Sequence, residues 1–222
     1  MKPIAHIETG FKDKFGIPRQ SRLARGMEGK IIFEDEYNVP EAFKGLEDFS
    51  HIWIIWGFSQ IDKEWSPTVR PPKLGGNKRV GVFATRSPFR PNNLGLSCVK
   101  LERIEYDDGV ILYVSGADMV SGTPIYDIKP YIPYVDCVDD AIGGFTEIIN
   151  KDKLNIKWEI TKNIPDDIKE DLADILSQDP RPSYHTDTER VYGMFYKNYN
   201  VKFKVCESTL TICEITENPT NE

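Results

Sequence analysis

His51-Ile52-Trp53-Ile54-Ile55-Trp56-Gly57-Phe58 is the stretch on which the fold turns. Its almost unbroken apolar and aromatic run matches a strand buried on both faces. Before it, Pro3–Thr9 and Lys30–Phe33 are short apolar strands separated by a loop rich in Gly, Pro and Arg. Pro40–Leu46 suits a helical turn, because Pro fits a first helical position. After it, Ser66–Asn77 holds three Pro and two Gly, a loop on a stiffened path. Arg79–Thr85, Leu94–Ile104 and Val110–Val114 are strand-like, and Asp107-Asp108-Gly109 makes a hairpin turn between the last two. Many strands with no long helix before residue 135 point to an antiparallel barrel or sandwich.

The character changes after Asp140. Pro165–Gln178 is predicted as a helix: Ile168, Leu172, Ile175 and Leu176 fall on one face, and Asp166 and Asp167 complement the dipole in its first turn. Asp179-Pro180-Arg181-Pro182 stops it. Arg190–Tyr196, Asn200–Val205 and Thr209–Ile215 are three further strands, and the polar tail from Glu217 is expected to fray. The reading is mainly β, with a strand-rich unit over 1–138 and a small α+β unit over 139–222.

The 222 residues carry a formal charge of −7 with 40% hydrophobic residues, an ordinary globular balance. That charge is segregated. Nine basic and two acidic residues lie between Lys63 and Arg103, and six basic and two acidic between Lys12 and Lys30. Such a distribution suits a polyanion-facing surface on an acidic body, or basic loops that pair with acidic neighbours. No apolar run approaches the roughly 20 residues of a membrane span. Glu8 comes too soon for a secretory leader, and the four cysteines form no CxxC pair. A cytoplasmic, reduced protein without a metal set is expected.

Two clusters carry the chemistry. Gly81-Val82-Phe83-Ala84-Thr85-Arg86-Ser87-Pro88-Phe89-Arg90-Pro91-Asn92-Asn93-Leu94-Gly95-Leu96-Ser97 gathers two Arg and two Asn around two prolines. Guanidinium forks suit carboxylate or phosphate, and amides suit a base edge. The same residue types also make turns and ion pairs. In the second cluster, Asp118 and Asp127 flank Gly122-Thr123-Pro124, with Lys129 beyond. There is no GxGxxG, GxxxxGK[ST] or GxSxG, and His6, His51 and His185 are isolated. Transfer between two bound ligands by positioning and electrostatics fits this inventory.

These clusters resemble the tRNA N6-adenosine methyltransferases related to the bacterial enzyme acting on N6-threonylcarbamoyladenosine beside the anticodon. Lys14–Gln20, Gly45–Trp53, Arg70–Asn77, Gly81–Ser97, Gly122–Pro124, Asp127–Tyr131 and Gln178–Tyr184 carry the likeness in order. The resemblance implies an S-adenosylmethionine-dependent enzyme on a small antiparallel β-barrel, homodimeric, with its cofactor near the subunit interface and tRNA as substrate. It implies cofactor contacts at Ser21, Arg22, Leu23, Ser59, Gln60, Arg86, Cys98, Ala117, Asp118, Met119 and Val120. Ser21-Arg22 stands where the bacterial enzymes typically have Pro-Gly, and Ser59 where they have His. Asn93 and Ser183 are lesser departures, from Pro and Ala. Asn92 is assigned to orienting the base, and Arg86 or Arg90 to holding the threonyl carboxylate or a phosphate. In the second unit Tyr184, Arg181, Arg190 and Tyr192 are candidate RNA contacts, although such lone residues on strands more often serve packing or a solvated face. Competing readings are a non-catalytic RNA- or nucleotide-binding barrel, and a methyltransferase with another acceptor.

Overall fold

The computed structural model describes residues 1–218 other than 25, 62–63, 75–76, 149–151 and 182–186. Six strands form a closed antiparallel barrel: β1 (Ala5–Glu8), β2 (Glu28–Phe33), β3 (His51–Gly57), β6 (Leu94–Glu105), β7 (Ile111–Ser115) and β8 (Thr123–Pro130). Their order around the barrel is β1-β2-β7-β6-β3-β8.

The β3 strand alternates rather than burying both faces: Ile52, Ile54 and Trp56 point into the core, and His51, Trp53 and Ile55 are half-buried outside. The outer aromatics are covered by chain that follows β8. The rings of Trp53 and Tyr131 lie 5.8 Å apart, and Trp53 Nε1 donates to Asp136 Oδ2 at 3.0 Å, in the short helix α1 (Pro133–Asp136).

Thr123–Pro130, which the sequence reading leaves without an element beyond a Gly122-Thr123-Pro124 turn, is the strand that closes the barrel against both β1 and β3. Its prolines hid it. Pro124 and Pro130 sit near the strand's two ends, opposite His6 and Ile52, where a missing ladder donor is tolerated. Arg79–Thr85 departs the other way. Only β5 (Val80–Gly81) is extended, paired with β4 (Thr68–Val69), and Val82–Ala84 is a 3-10 turn. The Thr85 hydroxyl donates to Val82 O at 2.8 Å, a local bond that competes with a ladder.

In the second half, β9 (Asn155–Trp158), β10 (Tyr192–Tyr196), β11 (Tyr199–Cys206) and β12 (Thr209–Glu217) form a sheet in the order β10-β11-β12-β9. The four-residue β9, unread in the sequence, runs parallel to β12. Helix α2 (Asp166–Ser177) packs here with Ile168, Leu172, Ile175 and Leu176 buried, as their spacing predicts. Glu217 does not fray: it pairs with Tyr199 in the ladder, and Asn218 N–H donates to Asn198 O.

Two hydrophobic cores result, one inside the barrel and one between α2 and the sheet. The loop between β1 and β2 feeds the second. Phe11, Ala24 and Met27 are buried in it, Phe15 and Ile17 pack against it, and the Phe15 ring stacks near Tyr192 and Phe203. Asp171 of α2, only 8% exposed, fastens this arrangement. It accepts bonds from the Tyr196 hydroxyl at 2.7 Å and Lys197 Nζ at 3.0 Å, and Tyr196 packs on Phe11. Burial and the neighbouring carboxylate push the Tyr196 hydroxyl far up, so it stays a donor. Asp171→Ala leaves that hydroxyl without its acceptor and lowers stability by about 1–3 kcal/mol, read from urea unfolding.

Candidate active site

A cavity of about 670 Å3 opens at the end of the barrel where β3 and β6 meet the loops. One wall is Lys14 and Ile17–Gln20, the same loop that plugs the second core. The aromatic strand ends in Trp56 and Phe58, then Ser59 and Gln60, which form a second wall. Thr85, Arg86, Pro88 and Arg90 of the Arg/Asn loop face them, and Asp118-Met119-Val120 after β7 lie at the base.

Packing fixes the interior. A Cβ on Gly95 would overlap the Trp56 indole, so only glycine lets that ring lie against the β6 backbone. Trp56 Nε1 donates to Ser97 Oγ at 2.9 Å, and Ser97 Oγ donates to Asp118 Oδ1 at 2.6 Å. Burial pushes the Asp118 carboxyl up, against the opposing pull of the Ser97 hydroxyl, the Asp118 and Ser21 backbone N–H groups and the Arg86 charge. A partly desolvated carboxyl with a guanidinium nearby, in a partly apolar cleft, is an arrangement typical of ligand sites. Arg86 Nη1 donates to Gln20 Oε1, and Lys14 Nζ to Gln60 O, closing the two walls toward each other.

Among the sequence-derived candidates, Ser59, Gln60, Arg86, Arg90, Asp118, Met119 and Val120 line this cavity. Ser21 reaches it through its backbone N–H on Asp118. Arg22, left-handed at φ 67°, donates its N–H to Gly116 O and turns its side chain toward Cys98, whose thiol is buried on β6 and pushed up by that burial. Leu23 is exposed, Ala117 belongs to the barrel core, and Asn92 is exposed on the loop. Arg90 is spent on its own loop, Nη1 donating to Val82 O at 3.2 Å and Thr85 O at 2.6 Å. Asp127 stands apart, paired with Lys129 at 2.8 Å. Trp56, Phe58, Gly95 and Leu96 line the cavity as well, as barrel residues that carried no polar signal.

Tyr192 is buried in the second core, Arg181 holds Asp179 through two guanidinium bonds, and the Arg190 guanidinium sits over Tyr192. Tyr184 lies outside the described residues, as do Ser183, Gly75, Gly76, Arg25 and Lys63. The two basic stretches are divided in their pairing. Lys100 and Arg103 pair with acidic neighbours. Among the described residues no ion pair engages Lys14, Arg70, Lys78, Arg79, Arg86 or Arg90. Of these, Lys14, Arg86 and Arg90 line the cavity, each bonded to neutral oxygens, so their positive charge is not cancelled by an ion pair and favours an external anion.

Residues 6–137 match the model of the tRNA-methyltransferase O N-terminal domain, and residues 153–218 that of the TrmO C-terminal domain. The chain belongs to the tRNA-methyltransferase O family. As a member of that family it is 38% identical to the tRNA (adenine(37)-N6)-methyltransferase of Escherichia coli K12 over 92% of both chains. It is 47% identical to the enzyme of that name from Eikenella corrodens, over 71% of this chain and 91% of that one. The crystal structure of TrmO from Pseudomonas aeruginosa superimposes with a TM-score of 0.78 at 31% identity, covering 96% of this chain and 97% of that one.

Two measurements probe the site. Gly95→Ala forces the Trp56 ring aside, costing about 1–3 kcal/mol of stability with a changed tryptophan emission. Asp118→Asn acts in the opposite sense. A carboxyl raised in the folded state stabilises the fold at low pH, and that contribution is lost as pH rises through the folded value. The Asn variant therefore melts higher than the parent at neutral pH, and the gap closes as pH falls toward about 4.

Proposed function

We propose that this protein methylates N6 of adenosine 37 in tRNA, with S-adenosylmethionine as methyl donor. One observation carries the reading: a partly apolar cavity with a desolvated carboxyl at its base and an unpaired basic rim, in a chain whose two halves both match this family. The relatives named tRNA (adenine(37)-N6)-methyltransferase, and one named as a putative S-adenosylmethionine-dependent methyltransferase in Pseudomonas aeruginosa, support it.

The cavity suits this donor. Its volume and its Trp56 and Phe58 walls match an adenosine-sized apolar group, and Asp118 supplies an acceptor for a hydroxyl or ammonium. Met119, Val120, Ser59, Gln60 and the Ser21–Leu23 turn complete the proposed holding set, with Cys98 and Ala117 behind them on the barrel wall. When bound, S-adenosylmethionine supplies a methyl group already activated by its positively charged sulfur.

The chain's own task is then alignment and exclusion of water. Trp56 and Ser97 fix the Asp118 carboxyl in one orientation. Arg86, braced by Gln20, presents a guanidinium at the mouth for the threonylcarbamoyl carboxylate or a phosphate, and Asn92 on the exposed loop orients the acceptor base. Arg90 holds that loop in shape. The same reading keeps a cofactor-binding unit over 1–138 and a second unit over 139–222. It makes the protein a cytoplasmic homodimer needing no metal, since the methyl group requires no Lewis acid.

The test is transfer of labelled methyl from S-adenosylmethionine to tRNA, with mass spectrometry of the nucleosides. The parent protein is expected to give N6-methylated adenosine at position 37, and Arg86→Ala to lose about 100-fold or more, in line with removal of a transition-state donor. Methyl transfer that survives Arg86→Ala unchanged removes this residue from the site. Binding of S-adenosylmethionine with no transfer leaves a nucleotide-binding barrel.

A further inference from the structure

The 3-10 turn Val82-Phe83-Ala84 is held by an unusual number of bonds for three residues. Val82 is buried, and its N–H donates to Pro67 O at 3.0 Å. Its carbonyl accepts the Thr85 N–H, the Thr85 hydroxyl and Arg90 Nη1. Arg90 Nη1 also reaches Thr85 O at 2.6 Å. This scaffold presents an apolar ring to water: Phe83 is 73% exposed, with the Arg90 guanidinium 5.7 Å from its centroid. Trp65, 53% exposed, comes one residue before Ser66, whose N–H is tied to Phe89 O of the same loop. Close to the turn in the chain come Arg70, Lys78, Arg79 and Arg86, all exposed and, among the described residues, engaged in no ion pair. Arg79 is steadied by a bond from Nε to Thr68 Oγ1 across the β4–β5 ribbon.

We propose that Phe83 is a stacking platform for an unpaired nucleobase of the substrate RNA, next to the adenine that enters the cavity. The inference rests on the tRNA reading above. A rigid aromatic ring amid unpaired cations is how proteins take single-stranded loops: bases stack on the ring and phosphates run along the cations. The ribbon turn lies in the chain immediately before Thr85 and Arg86, which line the cavity, so a base on Phe83 neighbours the reacting one. A second copy of this chain is the less favoured occupant. A two-fold contact through this ring brings Arg90, beside it, and the basic chain next to the turn toward their own counterparts. Phe83 is thus a positioning residue, and Arg90 acts by holding it in place.

The experiment compares the parent with Phe83→Ala and Phe83→Trp in the full-length protein. Methyl transfer to tRNA, S-adenosylmethionine affinity by calorimetry and mass in solution are measured for each. Phe83→Ala is expected to raise KM for tRNA about tenfold. The turnover number, cofactor affinity and mass stay unchanged, and Phe83→Trp restores the parent KM. An unchanged KM in Phe83→Ala overturns the proposal, and so does a halved mass, which assigns the ring to a contact between copies. If the parent itself transfers no methyl to tRNA, it is the functional reading that fails, not this placement of the ring.

Discussion

The loop between β1 and β2 belongs to two cores at once, and the site depends on that double membership. Its apolar residues, Phe11, Phe15, Ile17, Ala24 and Met27, pack with α2 and the second sheet, and its Lys14–Gln20 face forms a wall of the cavity. A loop this rich in Gly and Pro has little local preference for one path. Burial of its side chains supplies the order, and the Asp171–Tyr196–Lys197 bonds lock the hairpin it rests on. The loop's Lys197 contact repeats the theme: the Lys197 N–H donates to Gly10 O.

Electrostatics then divides the work between depth and rim. At depth, Trp56, Ser97 and Asp118 form a chain of two hydrogen bonds that directs a desolvated carboxyl into an apolar space. At the rim, cations stand without acidic partners on an otherwise acidic protein. Burial also pulls the Arg19 guanidinium down, opposed by Asp179 just past the end of α2. The wall of the cavity is thus electrically joined to the end of α2.

The barrel was legible because apolar runs and one hairpin turn survive translation into strands, and α2 because its four apolar residues share a face. What was hidden had a physical cause in each case. Pro124 and Pro130 hid the closing strand β8, since proline is a turn signal unless the ladder places it at an end. The outward alternation of β3 was masked by Trp53 and Ile55, which the chain after β8 half-covers. Arg86 and Asp118 stood out by charge. Trp56 and Gly95 did not, since their role is visible only when the indole is seen lying on the glycine. Nor did pattern alone separate Arg86, which faces the cavity, from Arg90, whose guanidinium is spent on backbone carbonyls. Tyr192, a candidate RNA contact that could equally be packing, proves to be packing, since one aromatic on a strand carries no sign of which side is buried.

The pairing of β1 with β8 joins residue 5 to residue 125, and the second core joins Phe11 to a strand that ends at Glu217. During synthesis the first segment therefore waits past residue 125 for the barrel core and for almost the last strand for the second. Contacts of such long sequence separation slow folding. A nascent chain halted near residue 139 leaves Phe11, Phe15 and Met27 in water, a sticky intermediate of the kind chaperones hold.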